Sequence, residues 1–204
     1  MDTNQYMIDN ALPGVFFDIG ANVGYYTIPM AAKATKVYSF EPSVLNYSSL
    51  VDAATGHDNV ITEKLAVSNS KSVVKLFAAI QKDLPVGWGG FSINPEIPAV
   101  AHLHRSFDNY EEVPTITLDE YCLTNNITNI TGMKIDVEAA EQFVLEGGLN
   151  TLKNNDILIS LETHLAINCQ RIYELLSEAG YSVYINGTTE VKSIEYDQQY
   201  ICRK

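Results

Sequence analysis

The stretch that most constrains this chain runs from Val15 to Gly24, VFFDIGANVG. Val15 to Ile19 is a short apolar run broken by one acid, Asp18, the composition of a buried parallel strand. Gly20 and Gly24 bracket the turn that follows, and the apolar-rich Tyr25 to Ala34 comes next. Lys36 to Phe40 reads as a second strand and ends on Glu41-Pro42. Strand, glycine turn, helix, strand, acid is one half of a nucleotide-binding α/β unit. Glycines let the backbone approach a ligand closely. An acid at the end of the second strand can accept both hydrogen bonds of a ribose diol.

The form of the turn selects among ligands. A dinucleotide site favours Gly-x-Gly-x-x-Gly, whereas Asn22 stands where the second glycine would fall and Asp18 precedes the first. A carboxylate there repels a pyrophosphate and suits a ligand carrying an amine. S-adenosylmethionine has an amine, a ribose diol and no phosphate, so a methyl donor is expected ahead of NAD. An NAD-dependent oxidoreductase is the first alternative. A module that binds a nucleoside or glycan without turnover is the second.

Length and charge narrow the partners. At 204 residues the chain suits a single domain, 1–204. With 25 acids against 13 bases the net charge is -12. No basic surface stands out for duplex nucleic acid or anionic membrane, so neither partner is expected. Cys122, Cys169 and Cys202 form no CxxC pair and no zinc spacing. Their odd number suits a reducing compartment. Met1 to Asn10 lacks the basic-then-apolar order of a signal peptide, and no run reaches transmembrane length. A cytoplasmic protein is the expectation, with its oligomeric state not legible.

Along the chain, a helix is expected from Gly24 or Tyr25, with Pro29 tolerable only if it begins late. Ser43 is a candidate N-cap for a helix over Val44 to Thr55, which Gly56 can end. Val60 to Val67 and Val73 to Ala78 read as a hairpin-like pair of strands. Gln81 to Glu112 breaks the pattern, holding Pro85, Pro95 and Pro98 with Trp88, Phe91 and Arg105. It reads as a substrate-side loop or lid over 81–112; a surface excursion anchored by Trp88 and Phe91 is the plain alternative. Further strands are expected at Val113 to Leu118, Met133 to Val137, Asp156 to Leu161, Tyr181 to Ile185 and Gln199 to Cys202. Helices are expected at Ala139 to Leu145 and Cys169 to Ala179. Alternating strands and helices argue for an α/β fold, a largely parallel sheet with helices on both faces. Ligands in such a fold sit beyond the strand C-terminal ends.

Three of those ends deliver acids: Asp18, then Asp136 and Glu138, then Glu162 followed by His164. Acids are rarely buried unpaired, so their concentration at one edge is the main chemical clue. Structural roles compete with this reading. Asp136 could cap the helix near Ala139, and Glu138 and Glu141 could favour its positive end.

At these residues the chain resembles the FkbM-type family of S-adenosylmethionine-dependent methyltransferases. The resemblance is carried by FDIGANVGYYT from Phe17 to Thr27, YSFEP from Tyr38 to Pro42, Thr117-Leu-Asp119, KIDVEAAE from Lys134 to Glu141, and LETH from Leu161 to His164. It implies a single-domain, Rossmann-like class I methyltransferase fold, a seven-stranded sheet with six parallel strands and one antiparallel. It also implies methyl transfer to a hydroxyl of a sugar, glycan or related small molecule. By the same likeness Asp18, Gly20, Asn22 and Gly24 surround the methionine part of the donor. Glu41 would hold the ribose, and Ala66 and Ser68 would lie near the adenine. One departure is visible: the family usually has glycine where this chain has Ala139. A requirement for positive φ there would strain an alanine.

Such a transfer is mostly orientation of acceptor oxygen, methyl carbon and sulfur. A sugar hydroxyl is a poor nucleophile, so a base is expected to take its proton. Asp136, Glu138 and His164 are the candidates, with His164 favoured by an ordinary pKa near 6.5. A histidine merely paired with Glu162 is the alternative. Asp136 with Glu162 could instead hold Mg²⁺ or Mn²⁺, which would acidify the hydroxyl.

Overall fold

β1 (Val15–Ile19) occupies the middle of the main sheet in the computed structural model, which describes residues 3–79, 90–95 and 105–204. β2 (Lys36–Phe40) and then β3 (Val60–Glu63) extend the sheet on one side. β7 (Ile130–Ile135) and β8 (Leu158–Thr163) extend it on the other. These pairings are all parallel. β11 (Gln198–Arg203) then wedges antiparallel between β8 and β9 (Ser182–Ile185), so β9 runs with the parallel strands. β10 (Thr189–Val191) adds an antiparallel edge to β9, giving eight strands where seven were expected. Its three residues are largely exposed and carry no apolar run, which is why the pattern did not announce it.

Alternation along β1 explains why both faces are covered. Phe17 and Ile19 enter the larger core with Met133, Ile135, Ile159 and Leu161. Phe16 points to the smaller core with Met7, Met30 and Val37. Successive strand residues face opposite sides, so one apolar strand feeds two layers. In the larger core Phe40 and Tyr121 meet edge to face at 4.9 Å.

The helices are α1 (Thr3–Asn10), α2 (Thr27–Ala31), α3 (Val44–Ala54), α4 (Leu118–Thr124), α5 (Glu141–Gly147), α6 (Leu149–Asn154) and α7 (Cys169–Glu178). α2 begins at Thr27, so Pro29 falls in the first turn, where its missing N–H has no intrahelical partner to lose. Ser43 precedes α3 as expected, but its hydroxyl makes no cap bond. No described helix is long and apolar enough to cross a membrane. The three cysteines are buried and unpaired.

A second sheet departs from the sequence reading. β4 (Ala66–Val67), β5 (Ser72–Ala79) and β6 (Arg105–Ile116) assemble in the order β4-β6-β5. The expected hairpin between the Val60–Val67 and Val73–Ala78 segments does not form. β5 pairs antiparallel with β6, and β4 pairs parallel with it. Residues 105–112, read as part of a loop, therefore lie in a strand. Its acids and proline hid it, since a half-exposed strand needs only one apolar face. Of the residues named in the expected loop over 81–112, Pro85, Trp88 and Pro98 fall outside the described residues.

Candidate active site

The glycine turn is shaped by the strand beside it. At Gly20 φ is +81°, and a Cβ would lie 1.9 Å from the carbonyl oxygen of Asp136. The ends of β1 and β7 therefore meet only because this residue has no side chain. Asp136 N–H donates to the Ile19 carbonyl at 3.1 Å, and Lys134 Nζ donates to the Gly20 carbonyl at 2.6 Å. Asn22 sits at φ 53°, a left-handed conformation that asparagine tolerates better than most residues.

Glu41 secures the far side of the turn. Its Oε2 accepts the Asn22 N–H at 2.8 Å, and its Oε1 accepts the Ser43 N–H at 2.9 Å. Each oxygen keeps a lone pair for a further donor. Burial pushes the carboxyl up, and the two backbone donors and Lys134 only partly offset this, leaving it at about 7.

Between these parts lies a cleft of about 580 Å³, open to solvent. Gly20, Asn22, Glu41 and Ala66 line it, with Asp136 and Glu138 at its acidic end. Phe40, Leu76, Phe91 and Ile93 supply apolar wall. Phe91 and Ile93 are the members of the expected loop that the structure brings to this cleft, among the described residues.

Three expected donor residues do not line the cleft. Gly24 adjoins Leu50, Ile28 and Ala53 instead. Ser68 is buried and donates its N–H to Ile116. Its carbonyl would stand 2.0 Å from a Cβ on Gly147, so it packs against α5. Asp18 is fully buried behind the turn, where Oδ2 accepts from Thr27 Oγ1 at 2.6 Å. Burial raises its pKa, which Lys134 at 3.9 Å partly counters. Asp18 is thus held by Thr27 and Lys134 outside the lining of the cleft.

Lys134 is the residue that the sequence reading undervalued. It is buried, it pairs with Asp136 Oδ2 at 3.2 Å, and it faces Asp18. A lysine inside an apolar strand, two residues before an acid, was the available signal.

Beyond Asp136 the acidic end is closed by His164. Its Nδ1 lies 2.8 Å from Glu141 Oε1. Its Nε2 lies 3.7 Å from Asp136 Oδ1 and 3.5 Å from Glu162 Oε1. Burial disfavours the charged ring, but the Glu141 and Glu162 carboxylates outweigh it and, with Glu138, push His164 up to about 11. That shift favours the imidazolium over the neutral ring that an ordinary pKa would give. Glu162 is drawn down by the same contact. Asp136, Glu138 and His164 each offer a ligand atom within 4.8 Å of the others. Glu162, expected beside Asp136, faces the same nitrogen.

The link from Asp136 to Glu141 is strained and firmly held. Glu138 and Ala139 have φ of 54° and 73°. Ala139 therefore occupies a left-handed conformation to which glycine is better suited. Its N–H donates to Glu141 Oε1 at 2.9 Å, and its carbonyl accepts Asn94 Nδ2 at 2.6 Å. Side chains satisfy both groups of this residue, which is how such strain persists at a site. Asp136 is not the cap of α5; Ala140 stands at that position.

Comparison with known proteins agrees with this geometry. A family model described as "Methyltransferase FkbM domain" matches residues 18–183. The hexuronic acid methyltransferase AglP of Haloferax volcanii is 27% identical over 191 residues, covering 92% of this chain and 69% of that protein. The crystal structure of a methyltransferase FkbM from Methylobacillus flagellatus superposes with a TM-score of 0.56 at 14% identity, over 93% of this chain. This chain spans only 43% of that protein's length. A precorrin-6y C5,15-methyltransferase from Geobacter metallireducens gives 0.53 at 11% identity, covering 98% of this chain and 84% of its own. At these identities the two structures speak for the fold, a class I methyltransferase architecture here extended to eight strands. Glycine turn, strand-end acid, cleft and family match together place the chain in the FkbM family of S-adenosylmethionine-dependent methyltransferases.

Proposed function

We propose that the chain transfers a methyl group from S-adenosylmethionine to a hydroxyl oxygen of a sugar, glycan or related small molecule. The observation that carries this reading is the cleft itself, with Glu41 at one end and Asp136 and Glu138 at the other. Glu41 keeps lone pairs for the ribose hydroxyls, while Gly20 and Asn22 admit the donor backbone-close. Ala66 lies on the wall where an adenine would stack. The methyl group would then face the acidic end.

The acceptor is assigned to a second hollow of about 720 Å³ that shares Glu162. Asn186, Asp197, Gln198 and Gln199 line it. Glu162 joins the two places: Oε1 faces His164, and Oε2 accepts from Gln199 Nε2 at 2.8 Å. Amides and carboxylates suit a ligand rich in hydroxyls and offer little to an aromatic one. The sugar acceptor in the name of the Haloferax volcanii relative points the same way. With His164 protonated, a carboxylate at the acidic end, Asp136 or Glu138, takes the hydroxyl proton. The oxygen attacks the methyl carbon as the bond to sulfur breaks, and neutral S-adenosylhomocysteine leaves.

Calorimetric titration with S-adenosylhomocysteine and with NAD tests the donor, and methyl transfer to a panel of monosaccharides and uronic acids tests the acceptor. Binding of the thioether but not NAD, with transfer to a sugar hydroxyl, is expected. Gln199→Ala should raise the acceptor KM with the donor KM unchanged. NAD binding in place of the thioether would overturn the donor assignment, and an unaltered acceptor KM would overturn the hollow.

A further inference from the structure

The acidic end of the cleft has the architecture of a metal centre. Asp136, Glu138 and His164 come from the loop after β7 and the end of β8, far apart in sequence. Their ligand atoms nonetheless lie within 4.8 Å of one another. Ligands bonded at about 2.0–2.2 Å around a single ion span separations of that order. Acids alone would not make a site, and here the third member is an imidazole whose other nitrogen is already engaged.

Glu141 is fully buried at the head of α5, with its Oε1 2.8 Å from His164 Nδ1. The same oxygen accepts the Ala139 N–H, so it acts as an acceptor and fixes a proton on Nδ1. Nε2 is thereby aimed at Asp136 and Glu162. A histidine held by a buried carboxylate through one nitrogen, with the other presented to acids, is the outer-shell arrangement of metal-ligating histidines. Asp136 is oriented as well: Lys134 takes Oδ2 and leaves Oδ1 toward His164. The side chains of Asp136 and His164 are 30% and 18% exposed, which leaves open positions for an acceptor oxygen.

We propose that Asp136, Glu138 and His164 bind a divalent first-row transition ion, with Glu141 as the positioning residue behind His164. One imidazole nitrogen with two carboxylates suits Mn²⁺ better than Mg²⁺, which prefers oxygen alone. The ion replaces the proton on Nε2. Its catalytic use rests on the methyl-transfer reading above. With Asp136 and Glu138 engaged by the ion, Glu162 would take their place as the base: an acceptor hydroxyl on the ion would lose its proton to Glu162 more readily, and the resulting oxygen would attack the methyl carbon while the carbon–sulfur bond breaks.

The test is Mn²⁺ titration of the full chain, read by electron paramagnetic resonance, with S-adenosylhomocysteine binding measured separately by calorimetry. One saturable Mn²⁺ site is expected, weakened at least about tenfold by His164→Gln and by Glu138→Gln. Glu141→Gln should weaken it about 10–100-fold, as outer-shell changes do. Glu190→Gln, on an exposed strand, serves as the surface control and should leave it unchanged. Melting temperatures show which variants fold, and His164→Gln and Glu138→Gln, on partly exposed side chains, keep the test open if Glu141→Gln does not. No saturable site, or one indifferent to all three substitutions, would overturn the proposal. Equal affinity for Mg²⁺ would remove His164 from the ligand set and overturn it too. Thioether binding without Mn²⁺ binding sinks the metal alone, whereas the reverse sinks the methyl-transfer reading.

Discussion

Lys134 Nζ donates to the Gly20 carbonyl at 2.6 Å, tying the end of β7 to the glycine turn after β1. The same ammonium faces Asp18 at 3.9 Å and Asp136 at 3.2 Å. One buried cation therefore holds the donor turn and orients an acid of the reaction end.

Removing that cation leaves Asp18 buried without its counter-charge. Lys134→Met should cost about 3–5 kcal/mol of unfolding free energy, the usual result of breaking a buried pair on one side. Adding Asp18→Asn should recover part of the loss. Urea unfolding of the two variants checks this, and equal stability of single and double variants would show that the pair is uncoupled.

Glu41→Gln should weaken S-adenosylhomocysteine binding by about 1–3 kcal/mol, through loss of charge-assisted bonds to the ribose. Calorimetry on folded parent and variant measures it directly, and unchanged affinity would remove Glu41 from the ribose.

The same residue makes donor affinity depend on pH. Burial raises its pKa from 4.5 to about 7, so the donor-free protein keeps it neutral through the mildly acidic range. Ribose hydroxyls donate better to a carboxylate, so affinity should rise as pH passes through about 7 and then level off. The sign for stability is opposite. A carboxyl whose folded pKa is raised stabilises below the unfolded value, and that contribution is lost as pH rises through the folded one. Parent but not Glu41→Gln should show both trends. Matching affinity profiles in the two proteins would break the link.

Gly20→Ala should cost about 3 kcal/mol or more, since φ is +81° and the new Cβ would lie 1.9 Å from a backbone oxygen. Ala139→Gly should do the reverse or nothing. Relief of left-handed strain, about 1–2 kcal/mol, is opposed by one lost buried methyl, about 0.8 kcal/mol, and by glycine's entropy. Thermal unfolding separates the cases: a loss above about 1 kcal/mol in Ala139→Gly would show the strain to be absent.

Much of the frame was legible because its causes are local. Apolar runs of five or six residues bounded by glycines and acids mark β1, β2, β7 and β8, and their alternation with helices implies a parallel sheet. Glu41 at the end of β2 and Asp136 at the end of β7 could be placed at one edge, because a strand's direction fixes where its C-terminus points. Tertiary structure decided what each acid meets. Asp18 and Glu41 both end short apolar strands, yet one turns inward to Thr27 and Lys134 while the other lines the cleft. His164 reads in sequence as an ordinary imidazole. Its pKa is shifted by Glu141 at the head of α5 and Glu162 near the end of β8, which the tertiary fold brings to either nitrogen. The pairing of β6 with β4 and β5 belongs to the same class, because pairing between segments distant in sequence depends on which exposed edge is available, and no local pattern encodes that.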